Sequence, residues 1–173
     1  RAFDEGIAPP VIRSEVRQQL VENKGHYTVY LPAFGIKEVC SFLNQFPETD
    51  FEVFTKYVSE KEVQENVRLL PVHNDSFLKS LSSGSGMLCS AGFEGPSEAL
   101  FLGKKLIVIP IRGQYEQACN AAALKELGIE VMESLDTVVF SNWLHNDHSA
   151  RLKFPDATEE LMRESILKPA GFI

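Results

Sequence analysis

Short apolar runs alternate with segments of helical periodicity along most of the chain. Runs rich in β-branched and aromatic residues predict strands at Tyr27–Leu31, Phe51–Thr55, Val67–Leu70, Gly86–Ser90, Lys105–Pro110 and Ile129–Met132. Helical periodicity and end signals predict helices at Ile36–Phe46, around Phe77–Leu81, and at Pro96–Leu102, Tyr115–Leu127, Asp136–Leu144 and Thr158–Leu167. Apolar strands separated by helices are typical of a parallel sheet covered on both faces. The pattern therefore predicts a doubly wound, Rossmann-like α/β fold.

The ends of the chain differ from this regular middle. Residues 1–25 contain Pro9-Pro10 and a polar run with little apolar periodicity, which predicts a linker followed by a turn. Residues 26–150 are predicted to form one domain, and residues 151–173 a C-terminal helical tail. Because the sequence starts at Arg1 without a methionine, we expect it to begin inside a longer protein, with another domain before the linker.

Composition and charge narrow the possible functions. The chain has 173 residues, 44% of them hydrophobic, and a formal net charge of −7, which disfavours nucleic acid as a partner. Its apolar runs fall far short of the roughly 20 residues that span a bilayer. Three cysteines without a C-x-x-C pair lie in apolar stretches, which predicts buried, reduced thiols and a cytoplasmic protein.

Ligands of doubly wound sheets bind at the carboxyl ends of the strands, so the loops after strands hold the candidate residues. In the loop after the first strand, Gly35 either lets a ligand approach the backbone or simply forms the turn. The loop Ser90–Glu98 opens a helix with small residues, and backbone N–H groups from Gly92 to Ser97 would suit a diphosphate. Glu98 could accept hydrogen bonds from ribose hydroxyls; alternatively it complements the helix dipole while Ser97 caps the helix.

A third loop, Pro110–Gln117, follows the next strand along the chain. Glu116 and Gln117 could bind paired sugar hydroxyls there, or they could form an ordinary solvated first turn. We expect this loop to lie beside Ser90–Glu98, because the two preceding strands would be neighbours in a parallel sheet. His145 and His148 have H-x-x-H spacing, but without a third ligand nearby they indicate a solvated loop rather than a metal site.

The loops together resemble the C-terminal domain of GT-B glycosyltransferases, over residues 27–132. The family pattern is a glycine-bearing turn, a Glu-Ala helix start, a second glycine, a strand ending in proline, D/E-Q-x-x-N-A and L-G. The matching residues are Ser97-Glu98-Ala99, Gly103, Pro110, Glu116-Gln117, Asn120-Ala121 and Leu127-Gly128. The similarity is greatest to the MurG-like and the antibiotic or plant uridine-diphosphate-sugar glycosyltransferase groups, and Pro9–Arg13 resembles the interdomain linker of a related branch.

The resemblance implies a set of site residues and partners. It places the donor nucleotide at Gly35, Leu70, Val72, His73, Gly92, Phe93, Glu94, Gly95, Ser97 and Glu98, and the donor sugar at Gln114, Glu116 and Gln117. Within this set, Glu98 would bind the ribose, the backbone from Gly92 to Gly95 the diphosphate, and residues 70–73 the base. The nucleotide-sugar is a substrate, so no cofactor and no metal are expected.

The same resemblance leaves the acceptor and the catalytic base to an N-terminal acceptor-binding domain of the same protein. It also allows a peripheral association of the longer protein with the inner face of the membrane. Two positions depart from the pattern: Lys105 replaces the usual proline after Gly103, and the first loop has Gly35 where paired glycines are common. A sugar-nucleotide 2-epimerase, which shares the fold, and a non-catalytic subunit of a split glycosyltransferase are the alternative functions.

Overall fold

The computed structural model describes residues 10–146 and 151–154 together with Arg163 and Lys168. Most of the predicted helix Thr158–Leu167, the first nine residues of the predicted linker, and His148 of the H-x-x-H pair lie outside the described residues.

A seven-stranded sheet forms the centre of the described part of the chain, in the order β3-β4-β2-β1-β5-β6-β7. All neighbouring strands in it are parallel except β3 and β4, which are antiparallel. The strands are β1 Tyr27–Tyr30, β2 Phe51–Thr55, β3 Glu62–Gln64, β4 Val67–Pro71, β5 Gly86–Ser90, β6 Lys105–Ile109 and β7 Glu130–Val131. The predicted doubly wound α/β fold is confirmed.

Helices cover both faces of the sheet, because the strands carry apolar side chains on both sides. The helices are α1 Ser14–Arg17, α2 Ile36–Leu43, α3 Asn74–Ser83, α4 Glu94–Phe101, α5 Tyr115–Glu126 and α6 Thr137–His145. Apolar residues of α1, α3, α4 and α5 form a buried cluster on one face, with Val16 and Leu81 completely buried. Residues of α2 and α6 form a second cluster on the other face, around Phe140.

Some local predictions were wrong. Residues 14–17 form a helix, α1, where the sequence predicted only a linker and a turn, and Ile12 and Val16 are buried in the core. The sequence favours Asn74 or Asp75 as the N-cap of α3, but His73 is the N-cap and makes no side-chain capping hydrogen bond. Helix α4 begins at Glu94 instead of Pro96, so Glu98 lies past its first turn.

The order of the strands reverses beside β1. The chain adds β2, β3 and β4 on one side of β1, and then crosses over to add β5, β6 and β7 on the other side. The carboxyl ends of β1 and β5 therefore flank the topological switch point, where doubly wound folds bind ligands. As expected, the loops after β5 and β6 are neighbours, because these two strands pair along their whole length.

Candidate functional site

A cleft of about 660 Å³ opens at this switch point. Its walls come from the ends of β1 and β5, from the starts of α3, α4 and α5, and from Arg13 of the N-terminal segment. The lining residues are Arg13, Tyr30, Val72, His73, Asn74, Phe77, Met87, Cys89, Ser90, Gly92, Phe93, Glu94, Gly95, Pro96, Glu98 and Glu116.

The cleft brings together many of the predicted site residues. Those that line it are Val72, His73, Gly92, Phe93, Glu94, Gly95, Glu98 and Glu116. The remaining predicted residues, Gly35, Leu70, Ser97, Gln114 and Gln117, do not line it. Gly35 is the N-cap of α2, and Leu70 lies in a polar groove beside α3. The Ser97 hydroxyl donates to the backbone oxygen of Phe93 at 2.7 Å, so it stabilises the first turn of α4 instead of acting as its cap.

The N-terminus of α4 forms one wall of the cleft. Gly92 and Phe93 lead into the helix, and the first backbone N–H groups of a helix have no partner within it. An added Cβ at Gly92 would meet no atom within 4 Å, so the backbone here is open to a ligand. The side chains of Glu94, Glu98 and Glu116 are acidic, and the guanidinium of Arg13 is paired with Glu98. An anion in this cleft would therefore depend chiefly on the backbone N–H groups and the helix dipole.

Glu98 is the most deeply buried of the charged side chains around the cleft. The Arg13 guanidinium holds its carboxylate in a bidentate ion pair: Nε donates to Oε1 at 2.7 Å, and a terminal nitrogen donates to Oε2 at 3.1 Å. The other terminal nitrogen of Arg13 donates to Oδ1 of Asn74 at 2.6 Å. The hydrogen bond to Glu98 is the main reason why the pKa of Arg13 is raised.

Gln117 and Asn120 organise the loops after β6 and β5. The Gln117 side chain accepts from the backbone N–H of Ile111 at 2.9 Å and donates to Gln114 at 2.9 Å. Asn120 donates to the backbone oxygen of Ala91 at 3.1 Å and so connects α5 to the loop that precedes α4. Gln117 is buried, and both its amide oxygen and its amide nitrogen are hydrogen-bonded within the loop, whereas Glu116 is exposed toward the cleft.

The floor of the cleft is apolar. Tyr30 and Phe77 make an edge-to-face contact with their ring centroids 6.0 Å apart, and Met87 and Cys89 extend this surface along β5. Burial raises the pKa of the Cys89 thiol, which therefore stays protonated and packs as a small apolar side chain. A flat ring with polar edges could lie on this floor.

Comparison with known families identifies the chain. Residues 3–146 match the model of glycosyl transferase family 1. The chain belongs to this family. No curated protein matches the sequence.

Solved glycosyltransferase structures have the same fold as this family 1 chain. They include the glycotransferase of kitacinnamycin (TM-score 0.59, 16% identity, 82% of this chain), SnogD from Streptomyces nogalater (0.55, 18%, 84%) and the spinosyn forosaminyltransferase SpnP (0.54, 15%, 92%). The chain spans 41%, 38% and 43% of those structures, respectively, which is about two fifths of their length. At these identities the likeness concerns the fold.

The sequence predictions omitted half of the residues that line the cleft. The residues they missed are Arg13, Tyr30, Asn74, Phe77, Met87, Cys89, Ser90 and Pro96. Tyr30 and Cys89 occupy the ends of predicted strands, so the switch-point rule could have found them. Arg13 belongs to the predicted linker, but no local signal in the sequence places it beside Glu98, which is 85 positions away.

Among the described helices, none is long and apolar enough to cross a membrane.

Proposed function

We propose that this chain is the donor-binding half of a glycosyltransferase and that it binds a uridine-diphosphate sugar in the switch-point cleft. The observation that carries the proposal is the position of a buried carboxylate, Glu98, next to the open N-terminus of α4. A carboxylate suits the vicinal hydroxyls of a ribose, and a helix N-terminus suits a diphosphate. The combination matches the chemistry of a nucleotide-sugar.

The other lining residues supply the remaining parts of such a site. In this proposal Val72 and His73 face the base, the backbone from Gly92 to Gly95 binds the diphosphate, and Glu116 binds a donor-sugar hydroxyl. Gln117 and Gln114 act by holding the loop that presents Glu116, because their side chains bind one another and the backbone of Ile111.

The reaction we infer is displacement at the anomeric carbon of the donor sugar. An acceptor oxygen forms the new bond to that carbon, and the nucleoside diphosphate leaves with the electron pair of the broken bond. The chain would orient the donor, while the N–H groups at the start of α4 stabilise the negative charge that develops on the departing diphosphate. An N-terminal domain would hold the acceptor and the catalytic base. This agrees with the finding that the chain spans only about two fifths of the length of the similar solved structures.

We propose a cytoplasmic location for the protein. Peripheral contact of the longer protein with the inner face of the membrane is compatible with this location. All three cysteines are free thiols in the described structure, which favours a reducing compartment.

Calorimetric titration of the chain with uridine, guanosine, cytidine and thymidine diphosphates tests this function. We expect uridine diphosphate to bind most tightly. Glu98→Ala should weaken that binding by at least about 10-fold, because even one lost hydrogen bond to a charged group is worth about 1.5–3 kcal/mol. Glu48→Ala, which removes an exposed carboxylate before β2, is the matched control and should bind as the parent does.

Two results would contradict the proposal. Equal binding by the Glu98→Ala variant would place the nucleotide elsewhere on the molecule. The absence of binding at millimolar concentration, both for this chain and for the chain joined to its acceptor-binding domain, would overturn the function itself.

A further inference from the structure

Arg13 covers the carboxylate that the proposed function assigns to the ribose. The Glu98 side chain is only 5% exposed, whereas the Arg13 side chain on its outer side is 40% exposed. Both carboxylate oxygens of Glu98 accept from the same guanidinium. A ligand that binds both carboxylate oxygens of Glu98 therefore has to displace the guanidinium of Arg13.

Arg13 is held in this position from three directions. Its backbone oxygen accepts from the N–H groups of Val16 and Arg17, both at 3.1 Å, so Arg13 is the N-cap of α1. Ile12 and Val16 on either side of it are buried in the core. On the α3 side, Asn74 accepts from the terminal nitrogen that Glu98 leaves unused. The backbone is thus fixed, and the side chain is the part that can move.

A ribose that binds Glu98 has to compete with these contacts. The two hydroxyls of a ribose need the same carboxylate oxygens, and bidentate arginine–carboxylate pairs are among the stronger hydrogen-bonded contacts in proteins. If the site is open for only a fraction of the time, the apparent affinity for the nucleotide falls by that fraction.

We propose that Arg13 is a latch on the donor site: its guanidinium occupies Glu98, and the ribose of the donor binds only when the side chain swings away. The inference rests on the proposed function of the cleft. It adds a regulatory link, because the N-terminal segment supplies the side chain that decides how often Glu98 is free. Donor binding is thereby coupled to the N-terminal segment of the chain.

Arg13→Lys and Asn74→Ala test the latch. Lysine keeps the positive charge that compensates Glu98, but it cannot make the bidentate contact, so the fold is retained while the latch is weakened. Asn74→Ala keeps the ion pair and removes only the outer hydrogen bond of Arg13. We expect Arg13→Lys to raise the affinity for uridine diphosphate by about 3- to 10-fold and Asn74→Ala to raise it by less. Arg151→Lys changes an exposed arginine that does not line the cleft and lies beside Gly103, and it should leave the affinity unchanged.

An NMR signal reports the latch directly in the parent chain. The Nε–H resonance of Arg13, assigned by its loss in Arg13→Lys, should be protected from exchange with water by its bond to Glu98. Addition of uridine diphosphate should remove that protection as the ribose replaces the guanidinium.

The outcomes separate the latch from the function on which it rests. Weaker nucleotide binding by Arg13→Lys, or an Arg13 Nε–H signal that stays protected when the nucleotide is bound, would overturn the latch and leave the donor site in place. If neither the parent nor the two variants bind any nucleoside diphosphate, alone or joined to the acceptor-binding domain, the donor site and the latch both fail.

Discussion

Gly86 lies between two neighbouring strands of the sheet, with little space around it. As the first residue of β5, it pairs with Tyr27 of β1 on one side and with Lys105 of β6 on the other. A Cβ at this position would lie 2.6 Å from the backbone oxygen of Lys105 and 3.0 Å from the ring of Tyr27. The first of these atoms is backbone, so it cannot move aside without shifting a central strand.

Gly86→Ala should therefore destabilise the protein, with a decrease in the free energy of unfolding of about 1–3 kcal/mol. Urea denaturation measures this decrease. Gly92→Ala is the control, because an added Cβ there meets no atom within 4 Å and should change the free energy of unfolding by less than about 1 kcal/mol. Equal stabilities of the two variants would contradict the packing described for β5.

Single residues show which features of the site and core could be predicted from the sequence and which could not. Glu98 was predicted as a site residue from its loop and its helix, both of which are local patterns. Its partner Arg13 is 85 positions away, and only the fold brings them together. Cys119 was predicted to be buried, but it is exposed: α5 buries Gln117, Ala121 and Leu124, and Cys119 lies on another side of the helix.

At the scale of elements, α6 covers one face of the sheet with aromatic side chains. Phe140 is completely buried, and its ring centroid lies 5.1 Å from that of Phe42, 5.0 Å from Phe46 and 5.3 Å from Trp143. The helix begins at a well-formed cap, in which Asp136 accepts from the N–H groups of Val138 and Val139, both at 2.9 Å. The cap fixes where α6 starts and hence which side chains face the sheet.

Phe140→Ala should cost about 3–5 kcal/mol in the free energy of unfolding, because it leaves a cavity among aromatic rings that have no room to collapse. The loss is measured by chemical denaturation. Val138→Ala, on the exposed side of the same helix, should change this free energy by less than about 0.5 kcal/mol. A loss below 1 kcal/mol for Phe140→Ala would mean that α6 does not pack as described.

The elements that sequence reasoning found are those with a strong periodic pattern. Strands β5 and β6 are buried along almost their whole length, and their apolar runs identified them nearly to the residue. Strand β3 gave no such signal because all three of its residues are exposed. Helix α1 has only four residues, too few for a periodic pattern, and its stability comes from the burial of Val16 against the rest of the domain.

For the whole molecule, the two apolar clusters on opposite faces of the sheet make the domain one folding unit. Both clusters include residues of β5 and β6. A substitution that shifts these strands on one face of the sheet should therefore alter the packing on the other face as well. The fold class was predictable because alternating strands and helices leave few topologies. The composition of the cleft was predictable only in part, since it depends on which loops the switch point brings together.

Ligand binding should stabilise this unit as a whole. At a concentration of uridine diphosphate tenfold above its dissociation constant, linkage predicts about 1.4 kcal/mol of added stability, or a rise in melting temperature of about 3–5 °C. Differential scanning calorimetry measures the rise. Glu98→Ala should show a much smaller rise at the same concentration, and an equal rise would mean that the nucleotide binds outside the cleft.

The two outer strands of the sheet affect how readily the protein aggregates at high concentration. Strand β3 is three residues long and flanked by the charged side chains of Lys61 and Glu65, and β7 at the opposite edge has only two residues. Long, flat, apolar edges recruit strands from other molecules and start aggregation, whereas short and charged edges resist it. The described sheet thus offers little template for strand addition, and aggregation during refolding should begin from the buried strands before they pair.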